Sequence, residues 1–193
     1  MSSKVLDVEK VYDGKFLHFY NFNLDDGRSY EVISRRDNVG LDTLNRFEAD
    51  AVDIIAFTPD HSKILVIKEW RVPANGYIYS FPAGLRENNE GLLDTARREL
   101  KEETGLEITK LYDILPPAYQ SAGMTNEVVA SIVCEADGDF DEQKLEASED
   151  IHPVWIDRED AMNLFYTHKL SARCQMVLWF CLFGEKYQLG YTE

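Results

Sequence analysis

Apolar positions along residues 4–35 fall in three segments of strand-like composition, rich in β-branched and aromatic residues, separated by Asp13-Gly14 and Asp26-Gly27, dipeptides that close β-hairpins. A meander of three strands is predicted, over 4–12, 16–24 and 28–35. In the middle strand Phe16, Tyr20, Phe22 and Leu24 share one face and Leu17 and Phe19 the other. Both faces therefore need cover, which a lone meander does not supply. The polar stretch 37–50 predicts a loop with a short helical turn.

From residue 52 the pattern changes. Apolar runs over 52–57 and 63–70, joined at Pro59-Asp60, predict two strands, and 77–81 a third that leads into the loop Phe81-Pro82-Ala83-Gly84. Leu92, Leu93, Ala96 and Leu100 then fall on one stripe at helical spacing, and Gly105 is placed as the C-terminal stop. Strands follow over 111–115, 128–135 and 151–156. Asp157 caps a helix running to about His168. A last helix, 171–188, carries Met176, Val177, Trp179, Phe180 and Phe183, apolar on most sides, and is expected to be buried. The reading is an α/β (α+β) domain over 51–193 with an N-terminal β-meander extension over 1–50.

The helix that ends at Gly105 also carries Glu99, Glu102 and Glu103, spaced i, i+3 and i+4, so three carboxylates project from one side. Like charges this close repel one another. Arg98, whose i+4 neighbour is Glu102, neutralises part of the charge, and a hard divalent cation with oxygen ligands suits the rest.

Composition narrows the classes. The chain has 193 residues and a formal net charge of −15, which repels polyanions and argues against nucleic-acid or anionic-membrane partners. A small phosphate compound is still admitted where bound cations invert the local field. No charged-then-apolar leader opens the chain, and the longest apolar run, 176–183, is too short to span a bilayer, so a cytoplasmic protein is expected. Three cysteines, Cys134, Cys174 and Cys181, show no metal spacing and predict buried, reduced thiols, while four scattered histidines predict structural or surface roles. A phosphate-loop lysine motif, a nucleophile elbow and a dinucleotide-binding glycine fingerprint are all missing from the sequence.

Gly84, Glu90, Arg98-Glu99, Leu100, Lys101, Glu102-Glu103, Thr104, Gly105 and Leu106 match the signature of the Nudix hydrolases at every specified position. Lys68-Glu69-Trp70-Arg71, Phe81-Pro82-Ala83-Gly84, the stretch 121–127 (SAGMTNE) and the acidic loop ending Glu149-Asp150-Ile151 resemble the ADP-ribose and nucleotide-sugar pyrophosphatase branch of that family. One departure concerns specificity: Ala122 stands where that branch usually carries a proline. The resemblance implies a Nudix α/β/α sandwich with a mixed sheet, and Mg²⁺-dependent cleavage of a nucleoside diphosphate linked to another moiety, giving a nucleoside monophosphate and a sugar phosphate. It implies Mg²⁺, with Mn²⁺ as a substitute, held by the Ala83 carbonyl, Glu99, Glu102 and Glu103, with Arg98 and Glu90 supporting them. It implies a general base on the loop before the last strand, where Glu149 fits best and Glu103 is the alternative.

Four further residues complete the expected site: Arg71 as a phosphate clamp through its guanidinium fork, and Arg36, Leu85 and Glu127 as substrate-binding positions. Branch members are commonly homodimers through the meander, and the two apolar faces of 16–24 agree with that. Competing readings are a Nudix diphosphatase acting on dinucleoside polyphosphates or nucleoside triphosphates, and a non-catalytic Nudix ligand sensor. Retention of all the signature carboxylates disfavours the sensor.

Overall fold

The hairpin dipeptides turn the chain where the sequence predicts, with Gly27 in the left-handed conformation (φ 82°) that a tight turn demands. The structure is a computed structural model and describes residues 3–87, 89–147 and 149–186. These divide into two compact units, residues up to 51 with 116–130, and residues 52–115 with 131 onward.

In the first unit β1 (Val5–Asp13), β2 (His18–Leu24) and β3 (Ser29–Ser34) form the antiparallel meander, β2 in the centre. Tyr20 is its buried anchor, and its hydroxyl donates to the Asp37 carbonyl at 2.5 Å. Phe16 and Leu17 fall outside β2 and are exposed at 69% and 46%, so the strand starts later than the pattern suggests. The segment 116–130 closes this unit: Ile33 N–H donates to the Met124 carbonyl at 2.9 Å and Tyr30 Oη to the Gly123 carbonyl at 2.7 Å.

The second unit is built on a mixed seven-stranded sheet. Its order is β10 (Ile151–Ile156), β5 (Ile64–Arg71), β4 (Ala51–Phe57), β9 (Val128–Gly138), β8 (Leu106–Tyr119), with β6 (Gly76–Ser80) on β5 and β7 (Ala83–Leu85) on β4. Alternation along β4 sorts the core: Val52, Ile54 and Ala56 pack with Ala96 and Leu100 of α1 (Leu92–Thr104), while Ile55 packs with residues of α2 (Arg158–Thr167) and α3 (Ala172–Phe183). Helices thus cover both faces, as the α/β/α reading requires. No helix among the described residues is long and apolar enough to cross a membrane.

Several boundaries move. The strand expected over 111–115 is β8, which starts directly after Gly105 (φ 77°) stops α1. Ala83–Leu85, expected as loop, pairs with β4 as a short strand. The last helix ends at Phe183 with one 3₁₀ turn to Lys186, and the remainder of the span expected for it lies outside the described residues. Asp157 caps α2 as expected, accepting from the Glu159 and Asp160 amides. Cys134 and Cys174 are buried but Cys181 is exposed, because it falls on the outward side of α3.

Candidate active site

The loop before α1 is held from below. Ile54 N–H of β4 donates to the Pro82 carbonyl at 2.8 Å, and Ala83 N–H donates to Glu103 Oε2 at 2.9 Å. Ala83, Gly84 and Leu85 therefore run alongside the acidic side of α1. Gly84 has no positive φ, so no unusual backbone angle calls for glycine there. Its role is space: a Cβ there would stand 1.7 Å from Glu99 Cδ. Glycine lets the Glu99 carboxylate lie directly against the backbone.

Arg98 organises the carboxylates. Its Nη1 donates to Glu99 Oε1 at 2.7 Å and to Glu102 Oε2 at 3.3 Å. Its Nε and Nη2 reach the two oxygens of Glu90 at 3.1 and 3.0 Å, and Nη2 also reaches the Leu85 carbonyl at 3.0 Å. Glu90 accepts in addition from Thr95 Oγ1 at 2.9 Å and from the Glu87 amide at 3.2 Å. Arg98 first, then these donors, hold the Glu90 carboxyl down at about 2.

Glu103, 6% exposed, behaves oppositely. Burial pushes its carboxyl well above the usual range despite the Ala83 amide, and the charges of Glu99, Glu69 and Glu149 push it the same way. Burial also raises Glu99, against Arg98 and in the same sense as Glu102 and Glu149. Five acids, Glu69, Glu99, Glu102, Glu103 and Glu149, thus crowd one region, where ionised carboxylates are costly without positive charge. A set made only of carboxylate and carbonyl oxygens suits a hard divalent cation, and the space that Gly84 leaves for Glu99 fits such a cradle.

Glu69 was not among the expected site residues. It lies on β5, is 5% exposed, and forms an ion pair with Arg71 Nε. Burial raises its carboxyl, Arg71 opposes this, and Glu149 adds to it. The register of β10 on β5 sets Ile151 opposite Glu69, and that register brings the acidic loop before β10 to the β5 end. The sequence signal was present in the buried end of an apolar strand, where a carboxylate is out of place.

Arg36 and Glu127 belong to the first unit. There Arg36 makes a two-pronged ion pair with Asp50, at 2.9 Å on each side, and Glu127 accepts from Arg35 Nε at 2.7 Å. Leu85 contributes its carbonyl to Arg98, and its side chain is exposed. The first unit also holds Asp13, His18 and Asp37, whose ligand atoms lie within 4.8 Å of one another. Lys10 Nζ already binds both aspartates, at 3.0 and 2.7 Å, and supplies the positive charge there.

The pattern of the NUDIX domain matches residues 48–176, two-thirds of the chain. The chain belongs to the Nudix family. As a Nudix protein it is a hydrolase acting on pyrophosphate bonds. It is 30% identical over 167 residues to the ADP-ribose pyrophosphatase of Bacillus subtilis (strain 168), covering 85% of this chain and 83% of that protein. It is 28% identical over 142 residues to the ADP-sugar pyrophosphatase of Mus musculus, covering 70% of this chain and 62% of the mouse protein, less than two-thirds of its length. Among solved structures, one described as an ADP compounds hydrolase superposes with a TM-score of 0.67 over 98% of each chain at 19% identity, a likeness of fold.

Proposed function

We propose that this Nudix hydrolase cleaves the diphosphate bond of ADP-ribose or of a nucleotide sugar in the presence of Mg²⁺, with Mn²⁺ as a substitute, releasing a nucleoside monophosphate and a sugar phosphate. The observation that carries the proposal is the crowding of Glu69, Glu99, Glu103 and Glu149, two of them buried, beside a guanidinium, Arg71. Relatives that carry the names ADP-ribose and ADP-sugar pyrophosphatase support the substrate class.

In this reading the Ala83 carbonyl, Glu99, Glu102 and Glu103 hold the metal, and Arg98 and Glu90 fix the carboxylates from behind. Bound Mg²⁺ supplies neutralisation of the diphosphate charge and acidifies water. Glu149 takes the proton of the water that attacks phosphorus, and a phosphate monoester departs from the opposite side. Exposed Glu149 suits that task better than Glu103, whose burial suits a fixed ligand. Arg71 exchanges its Glu69 partner for phosphate oxygens. Residues 1–50 act as an extension that pairs two copies, for which the exposed Leu6, Val11, Tyr12 and Phe16 provide apolar surface. Three free cysteines agree with a reducing, cytoplasmic setting.

The test is a panel of ADP-ribose, several nucleotide sugars, a dinucleoside polyphosphate and nucleoside triphosphates with Mg²⁺, products separated by chromatography. Release of AMP and ribose phosphate from ADP-ribose is the expected result. Turnover confined to triphosphates or dinucleoside polyphosphates would replace the substrate class, and binding without turnover of any compound would make the chain a sensor.

A further inference from the structure

The segment that carries Glu149 is gripped at both ends by different elements. At its start, Lys144 N–H donates to the Glu102 carbonyl at 2.8 Å, and the Gln143 side-chain amide reaches the Glu103 and Ile151 carbonyls. The bonds to Glu102 and Glu103 are to the last turn of α1, whose Glu103 is the buried acid, and the bond to Ile151 is to the start of β10. At its end, the Asp150 carbonyl accepts from Trp70 N–H of β5 at 3.0 Å. The Asp150 carboxylate accepts from Tyr77 Oη of β6 at 2.5 Å and bonds His152 Nε2 at 2.8 Å. Within the segment, Glu149 N–H donates to the Glu146 carbonyl at 3.0 Å while Glu149 Oε2 accepts from the Glu146 amide at 2.8 Å.

Asp150 thus bonds to β5, β6 and β10 while its neighbour Glu149 belongs to the acid cluster. Tyr77 is itself steadied: its ring meets Trp70 edge-on at 5.3 Å, and Lys68 Nζ lies 4.6 Å from its centroid. A charge-assisted hydrogen bond from a phenol braced in this way fixes the carboxylate more firmly than a solvated one would. Because peptide geometry links consecutive residues, a fixed Asp150 limits where the Glu149 carboxylate can reach.

We infer that Asp150, anchored by Tyr77 and His152, is a positioning residue that sets the reach of Glu149 toward the attacking water. The inference rests on the proposed role of Glu149 as base. General-base catalysis needs heavy-atom contact of about 2.6–3.2 Å, so a loosened segment costs turnover rather than substrate binding.

The experiment compares Tyr77→Phe, Asp150→Asn and Glu149→Gln with the unaltered chain, by steady-state kinetics with Mg²⁺ and by amide exchange in NMR. Tyr77→Phe and Asp150→Asn are expected to lower kcat about tenfold with KM held within about twofold, the pattern of lost positioning. Exchange at the Glu146 and Glu149 amides should rise about tenfold, while Val154 in β10 and Lys144, held by α1, stay protected. Unchanged exchange at Glu146 and Glu149, or raised exchange with unchanged kcat, overturns the inference. A uniform rise that includes Val154 also overturns it, since that marks general loosening. If Glu149→Gln retains full kcat, the role of Glu149 as base fails, and the exchange result alone then decides whether Asp150 anchors the segment.

Discussion

The Glu99 carboxylate occupies the space where residue 84 would carry a side chain: an added Cβ would lie 1.7 Å from its Cδ and 1.9 and 2.2 Å from its two oxygens. Gly84→Ala must therefore expel Glu99 from its place beside the backbone. We expect a loss of turnover of about 10²-fold, the scale of a misplacement near 1 Å. Calorimetric titration with Mg²⁺ should show weakened binding in parallel. Wild-type kinetics in this variant would remove Glu99 from the metal site.

Glu149→Gln keeps the shape of the side chain and removes its basicity. Turnover should fall by about 10²–10⁴, the range for loss of a general base. A drop of less than about threefold would assign the base elsewhere, with Glu103 next in order.

Glu90 gives a pH dependence with a definite sign. Its folded carboxyl is held at about 2, below the ordinary value of 4.5, by Arg98 first and then by its other donors. A depressed carboxylate stabilises the fold above its unfolded value, and the contribution disappears as pH falls through the folded value. The gap in urea midpoint between the unaltered chain and Glu90→Gln should therefore be full at pH 7. It should begin to shrink below 4.5 and close near 2. A gap that is the same at pH 7 and near pH 2 would deny the pair its electrostatic role.

The thiols should differ in reactivity. Burial pushes Cys134 and Cys174 up to about 12, and both are inaccessible, whereas Cys181 is exposed although its thiol is also raised. Brief treatment of the folded chain with iodoacetamide should give one adduct, at Cys181, and denaturant should release all three sites. Early labelling of Cys134 would show that the sheet opens more readily than its packing implies.

Much of this was readable in order along the chain. The spacing of Glu99, Glu102 and Glu103 on α1, the stop at Gly105 and the cap at Asp157 are local matters, set by helical period and by backbone conformations that few residues adopt. Hairpin dipeptides fixed the meander for the same reason. Less readable was the start of β2, where Phe16 and Leu17 look like strand residues but lie exposed before it.

By itself, then, the sequence determined the signature helix, the family and the nature of the fold, because each depends on interactions within a few residues or on a fixed motif. Tertiary structure alone decided which distant acids join that helix. Glu69 and Glu149 are far apart in the chain, and only the antiparallel register that sets Ile151 opposite Glu69 puts both beside Glu103. It also gave Gly84 its meaning, since the nearness of Glu99 is a consequence of how α1 packs on the sheet rather than of any preference of glycine. Long-range pairing is selected by the burial of whole faces, and no single residue announces it.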